Sequence, residues 1–456
     1  MTRLSDTVAS FRTSSSGGSL GRALSLGGLL LLGLSGPTVS ASAQTIAIRA
    51  GNMIDVENGQ AVPDQIILVE NGIIQAVGPN VDIPSGAEVI DLSGAYVLPG
   101  MMDVHTHLAL TEMPGADIND FGSYYYTSLI EPTAFRVAQG TMQARNMLET
   151  GFTWVRDAGN NGLYGDVTLR RAIEGGWIPG PNIKAAGIMI APFGGQFQMQ
   201  PEKPGLGNPE YTYADTRDEI RKAIRENIHY GATFIKLIVD NQPYIYSEDD
   251  IRTAVEEAGD VGIKVMTHAN SDEGIRNATL AGVASIEHGS RPSDATLRLM
   301  AERGTYLVGT DFPASRRNPE SYARGLDRIR RAYSIGTPMA FGSDVVYIRD
   351  GWTRGELTLE FLDSYKDADI PSTYILQMLT VNAADLLGVN SGALKVGLAA
   401  DIIAVTDNPL NDVAALRHVH FVMKDGKVYK RHNRFEWDTP RSMNNPRRRP
   451  ARASGN

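Results

Sequence analysis

From residue 45 onward, the spacing of apolar and polar positions changes twice along the chain. Over 44–98, short apolar runs at 45–50, 65–69 and 73–77 are broken by polar turns, and Glu70-Asn71-Gly72 is a hairpin signature. The same texture returns over 393–435, where runs at 401–405 and 420–423 precede Lys424-Asp425-Gly426 and a further short run at 427–429. Two β-rich pieces bracketing a long middle predict one small β-sandwich built from both chain ends. Over 99–392, short apolar strands alternate with helical patterns. Ile220, Ala223, Ile224 and Ile228 share one face of a helix over 218–230, with Gly231 as its stop. A second helix follows Ser247, where Asp250 three residues on forms a relative of the capping box, and ends near Gly259. Strands ending near His107, Asp157, Gly187, Leu237, His268, His288, Val308 and Asp344 complete the alternation. The expected architecture is therefore α/β, a (β/α)8 TIM barrel carrying a small β-sandwich domain, with any chemistry at the C-terminal ends of the barrel strands.

The ends of the chain read differently. Arg3, Arg12 and Arg22 precede an apolar run over 23–34 that is too short to span a bilayer, and Ala41-Ser42-Ala43 supplies small residues at cleavage spacing. Residues 1–43 thus read as a secretory signal peptide, with Gln44 as the processed start and a membrane anchor as the competing reading. Residues 436–456, which include Arg447-Arg448-Arg449, read as a disordered basic tail.

At 456 residues and 42% hydrophobic content, the chain can bury a large core. It has no cysteine, so a bound metal must be held by nitrogen and oxygen ligands. An exported chain without cysteine fits a periplasmic or secreted enzyme. The formal charge is −9, and removing a leader that carries three arginines and one aspartate leaves about −11. Such an acidic protein is a poor candidate for binding nucleic acid.

Placing the polar residues on the expected strand ends gives the candidate chemistry. His105 and His107 close the first strand on the same side, because side chains alternate with a period of two. His268 ends the fifth strand, His288 the sixth and Asp344 the eighth, while Lys236 lies among apolar neighbours in the fourth. Four of the eight histidines fall at strand ends, which chance placement explains poorly. An unpaired ammonium inside a barrel is costly. A desolvated amine with a depressed pKa can instead react with carbon dioxide to give an anion able to bridge two cations. A second pair, His418 and His420, has no such company and reads as structural. His229, at a helix end, suits the dipole there.

These features resemble the amidohydrolase superfamily. The resemblance rests on the run from Leu98 to His107, on Lys236, Thr267-His268-Ala269, Ile286-Glu287-His288-Gly289 and Gly342-Ser343-Asp344, and it extends through 380–384 and 397–401. Within the superfamily the chain is similar to the prolidase-like branch, to imidazolonepropionase-type sequences and to ochratoxin-hydrolysing members. The resemblance implies two divalent ions, usually Zn2+. His105, His107 and Asp344 would hold one and His268 and His288 the other, with carbon dioxide carried as N6-carboxylysine at Lys236 between them. It further implies hydrolysis of an amide bond in a small-molecule or dipeptide-like substrate by a metal-activated water, with Asp344 as proton shuttle, and assembly as a homo-oligomer.

Substrate contacts are less determined. Some relatives carry a histidine in a Gly-Gly-His segment where this chain has Gly194-Gly195-Gln196, so Gln196 is the candidate donor to the scissile carbonyl. By the same resemblance, Tyr244 and Tyr246 are candidates for a substrate carboxylate, or ordinary rim aromatics. Phe121 and Tyr124-Tyr125-Tyr126 form either an apolar wall for an aromatic group or a cluster that only packs. The expected substrate is an N-acyl or aminoacyl amino acid, an Xaa-Pro dipeptide or an aryl amide such as ochratoxin A. A cyclic amidohydrolase or deaminase and a non-catalytic metal-binding periplasmic protein are the alternatives.

Overall fold

The computed structural model describes residues 45–112, 123–196, 200–208 and 210–437, and for 123–125 the backbone only. The expected signal peptide, Phe121, the side chains of Tyr124 and Tyr125, and the tail beyond 437 lie outside the described residues.

The two β-rich ends join in a single hydrogen-bonded sheet of eight strands. Thr45–Asp55 pairs antiparallel with Gln60–Glu70, which pairs with Ile73–Gly78 across the Asn71-Gly72 turn. Both turn residues take positive φ (51° and 81°), the geometry that an Asn-Gly hairpin favours. On its other side Thr45–Asp55 runs parallel to Glu88–Pro99. Glu88–Pro99 then pairs with Ile402–Val405 in the register Leu98↔Ile403 and Pro99↔Ile402. Phe421–Lys424, Lys427–Arg431 and Arg434–Phe435 follow in order. Alternation explains the unbroken apolar run at 402–405. Ile402 and Ala404 pack with Ile48, Ile67, Ile90 and Phe421 in the sheet's own core, while Ile403 and Val405 pack into the core of the barrel. Both faces of that strand are buried.

The chain passes from sheet to barrel at Gly100. Its N–H donates to the Asp401 carbonyl at 2.9 Å, and a Cβ there would lie 2.3 Å from Thr153 Oγ1. No larger residue fits this crossing. Met101–Thr106, Phe152–Asp157 and Asn182–Ala185 are parallel neighbours. The third strand, expected to end near Gly187, stops at Ala185 and resumes as Met189–Ala191 beside Ile235–Ile238. Val265–Ala269, Ser285–His288 and Tyr306–Val308 continue the parallel series. A strand at Tyr211–Tyr213 pairs with Met189–Ala191 and had no clear sequence signal.

The eighth position differs from expectation. Residues 339–344 form no regular strand, only a bridge from Met339 to Leu307. The ring closes through Val104 N–H to the Phe341 carbonyl (2.9 Å) and Asp344 N–H to the His105 carbonyl (2.8 Å). The reason is tertiary, since the buried Asp103 carboxylate accepts both the Ser343 N–H (3.1 Å) and the Ser343 hydroxyl (2.6 Å), taking a donor that a ladder would need. Asp344 then adopts φ 57°, which no strand contains.

The helices follow their sequence signals. Arg217–Tyr230 starts from a full capping box between Thr216 and Glu219 and stops at Gly231, where φ is 102°. Glu248–Gly259 starts from the Ser247–Asp250 box. Among the described residues, no helix is long and apolar enough to cross a membrane.

Candidate metal centre

His105 is the penultimate residue of Met101–Thr106, and His107 follows that strand. Each ring is fixed through Nδ1: His105 to Glu287 Oε2 and His107 to the Gly159 carbonyl, both at 2.7 Å. With Nδ1–H donating to these oxygens, each Nε2 presents a lone pair inward, as a metal-binding imidazole requires. The two Nε2 atoms lie 3.8 and 3.1 Å from Asp344 Oδ1. Ligand atoms of His105, His107 and Asp344 all fall within 4.8 Å of one another. Two imidazoles and a carboxylate at that separation fit a borderline divalent ion such as zinc.

The electrostatics agree with this reading. Burial, with the charge of Lys236 adding to it, holds His105 well below the ordinary histidine range, so it is neutral. Burial alone would lower His107, but the hydrogen bond and charge of Asp344 outweigh it and raise its pKa. Burial would likewise raise Asp344, and the surrounding His105, His107 and Lys236 prevail to lower it.

His268 and His288 lie beside this group without pointing at the same spot. Their ring centroids are 4.4 Å apart, and His288 is 5.2 Å from His105. His288 Nδ1 meets the Thr310 hydroxyl at 2.8 Å and lies 3.9 Å from Asp344 Oδ2. His268 Nε2 contacts Asn241 Oδ1 at 2.6 Å and Asn270 Nδ2 at 2.8 Å, and its Nδ1 is 3.4 Å from Gln196 Nε2. Burial and Lys236 push His268 down to about 3, and burial with the adjacent His268 and His105 keeps His288 low as well. Both are neutral rings able to donate lone pairs. His288 has φ 66°, so two of the six expected ligands sit in left-handed backbone, a strain that clusters at functional sites.

Lys236 lies on Ile235–Ile238, a strand buried throughout. Among the described residues no hydrogen bond reaches its Nζ. Burial, aided by Arg156, lowers its pKa to about 8 against the opposing pull of Glu287 and Asp344. About a tenth of the amine is thus neutral at pH 7, far more than at an ordinary lysine.

The sequence reading assigned no role to Glu287 or Arg156. Glu287 Oε1 accepts from Arg156 Nη2 (2.8 Å) and from Ser285 Oγ (2.5 Å), while Oε2 orients His105. Arg156 in turn donates to the Val104 carbonyl at 2.6 Å and to Ser285 Oγ at 3.0 Å. The available signal was an acid between Ile286 and His288 in a short barrel strand, matched by an arginine in Phe152–Asp157. Changing Glu287 to Gln leaves the buried Arg156 uncompensated, and the expected loss is about 3–5 kcal/mol of unfolding free energy in urea titration. A loss below about 1 kcal/mol would remove Glu287 from this role.

The substrate-contact candidates separate. Gln196 lines the cavity at the barrel mouth, and its Oε1 accepts from the Tyr211 hydroxyl at 2.8 Å. Tyr244 and Tyr246 do not line it. Tyr244 bonds Asp215 at 2.9 Å from an exposed position. Tyr246 is buried in the barrel core with its hydroxyl on the Ala214 carbonyl, because its backbone N–H returns to Val239 and turns the ring inward. Tyr126 is exposed. His418 ends a short 3₁₀ turn, and His420 N–H donates to the Ala404 carbonyl in the sheet. The cavity holds about 720 Å³, and His105, His107, Lys236, His268, His288 and Asp344 all line it. That volume lies within the roughly 300–1,000 Å³ of small-molecule sites.

A parallel barrel with a histidine- and carboxylate-lined cavity at the C-terminal ends of its strands has the architecture of a barrel enzyme. The Amidohydrolase family profile matches residues 96–429, and the chain belongs to that family. It is 28% identical over 447 residues to the ochratoxinase of Aspergillus niger, covering 86% of this chain and 89% of that one. The crystal structure of that ochratoxinase superposes with a TM-score of 0.73 at 25% identity, over 85% of this chain and 96% of the other. A Xaa-Pro dipeptidase crystallised with methionine in its active site superposes at 0.72 and 28% identity, over 85% of this chain and all of the other. The protein is a hydrolase acting on carbon–nitrogen bonds.

Proposed function

We propose that the enzyme cleaves an amide whose amine half is an amino acid: an N-acyl amino acid, an Xaa-Pro dipeptide or an aryl amide such as ochratoxin A. His105, His107 and Asp344 would hold one divalent ion and His268 and His288 a second, zinc being the first candidate, with Lys236 carboxylated between them. Ions held there would lower the pKa of water and polarise the scissile carbonyl. Asp344 takes the proton of the attacking water and returns it to the leaving nitrogen, and the Gln196 amide donates to the carbonyl. The observation that carries this reading is the approach of His105 and His107 to one Asp344 oxygen, in the same cavity as a buried lysine with no hydrogen-bond partner among the described residues. The names of the ochratoxinase and dipeptidase relatives support the substrate class. The chain is proposed to be exported to the periplasm or beyond and to assemble as a homo-oligomer.

Elemental analysis of purified protein, paired with N-acyl amino acid, Xaa-Pro and ochratoxin A substrates, tests this. Free amino acid should be released without ammonia, and chelation should abolish the release. Undiminished turnover after complete metal removal, or no release from any of the three substrate groups, would refute it.

A further inference from the structure

The two imidazoles on the first barrel strand lean on partners of different kinds. His105 donates to the Glu287 carboxylate, which Arg156 and Ser285 fix in turn. His107 donates instead to a main-chain oxygen, the Gly159 carbonyl. That oxygen belongs to a turn with φ 104° at Gly159 and 57° at Asn160. A non-glycine residue in left-handed backbone persists only where its surroundings hold it there. A Cβ on Gly159 would lie 2.6 Å from Met189 Cγ, so the turn also runs close to its neighbour.

Asn161, 1% exposed, supplies the hold. Its Nδ2 donates to the Gly159 carbonyl at 2.8 Å and to Asp157 Oδ1 at 2.6 Å, and its Oδ1 accepts the Ala109 N–H at 3.0 Å. A main-chain N–H can only donate and a carbonyl can only accept, so these partners leave one orientation for the amide. Asp157 Oδ2 accepts the Leu108 N–H at 2.7 Å. Asn161 and Asp157 therefore clasp the two residues that follow His107, while Asn161 also grips the oxygen that its ring meets. The next carbonyl, that of Asn160, is bound separately by Arg136. Among the described residues, the Gly159 oxygen receives hydrogen bonds from His107 and Asn161 alone. A carbonyl has two lone pairs, and Asn161 occupies one so that the other faces the imidazole.

We propose that Asn161 is a positioning residue of the metal centre. By holding the Gly159 carbonyl it keeps the His107 ring turned with Nε2 toward Asp344, and so sets the affinity for the ion that His105, His107 and Asp344 would share. This rests on the metal-binding reading above and adds the group that orients one of its ligands. Loss of a group behind a metal-binding histidine weakens the ion by about 10–100-fold. The lower end is expected here, because Asn161 acts through a backbone oxygen that every variant retains.

The test is competition for Zn2+ against a chromophoric chelator, with melting curves, in wild type, Asn161→Ala, Asn161→Ser and Asn227→Ala. Asn227 is the structural control. It is equally buried and makes two bonds of the same kind, to the Ile188 carbonyl at 2.7 Å and from the Ile188 N–H at 3.1 Å, in a neighbouring loop without an expected ligand. Asn161→Ala should weaken the binding of one Zn2+ by about 10-fold. Asn161→Ser should fall between, since one hydroxyl proton replaces two amide protons. Asn227→Ala should lower the melting temperature and leave Zn2+ affinity as in wild type. Wild-type affinity in Asn161→Ala, or an equal loss in Asn227→Ala, would overturn the proposal, and Asn161→Ser decides on the same terms if the alanine variant does not fold. If wild type takes up no Zn2+, the metal-binding reading fails, and crystal structures of wild type and Asn161→Ala still decide this one. A Gly159 carbonyl turned away from His107 in the variant supports it, and a bond kept at 2.7 Å overturns it.

Discussion

Replacing Asp344 with asparagine is expected to lower kcat by roughly 10²–10⁴-fold, the usual worth of positioned proton transfer, in a protein that still folds. Asparagine tolerates left-handed backbone nearly as well as aspartate, so the φ of 57° and the 2.8 Å N–H bond to the His105 carbonyl should survive. What disappears is the negative oxygen that His105 and His107 face at 3.8 and 3.1 Å, and with it the group that can accept and return a proton. The measurement is kcat alongside metal content and a melting curve. Normal turnover with metals retained would remove Asp344 from the proton-transfer role.

The second large effect has opposite signs for activity and stability. Changing Lys236 to methionine should reduce hydrolysis to background, yet leave the metal-stripped protein as stable as wild type or more so by about 1–4 kcal/mol, because it replaces a buried charge with an apolar group. The sign with pH follows from the lowered pKa. Unfolding raises this lysine from about 8 back to the ordinary 10.5, so between those values the unfolded chain binds more protons. Wild-type stability should therefore rise with pH across that interval, and the rise should be smaller in the variant. Denaturant titrations of both proteins at pH 8 and 10 read this directly, and 13C-bicarbonate NMR should detect a carbamate in wild type alone. A Lys236→Met protein that keeps its activity, or that unfolds far more easily, contradicts the assignment.

Periodicity in the sequence located much of this architecture. Side chains alternating with a period of two placed His105 and His107 together, and the Thr216 and Ser247 boxes marked two helix starts that the structure contains. Pattern alone could not reveal features that depend on tertiary partners. The eighth strand dissolves because Asp103, far away in sequence, captures Ser343. Tyr246 turns inward because Val239 and Ala214 hold it. The carboxylate that orients His105 sits in view as Glu287, but its task becomes visible only when strand six faces strands one and two across the barrel interior.

The pairing of Glu88–Pro99 with Ile402–Val405 carries a consequence for biogenesis. The edge formed by Tyr96, Val97, Leu98 and Pro99 has no neighbour until the last strands have been synthesised, so for most of translation it exposes unsatisfied backbone donors and acceptors. Such an edge invites association with other nascent chains. A chain cut short before residue 402 would keep its barrel strands but expose the apolar flank of Leu98 and Val97, making premature termination a route to aggregates rather than to a smaller working enzyme.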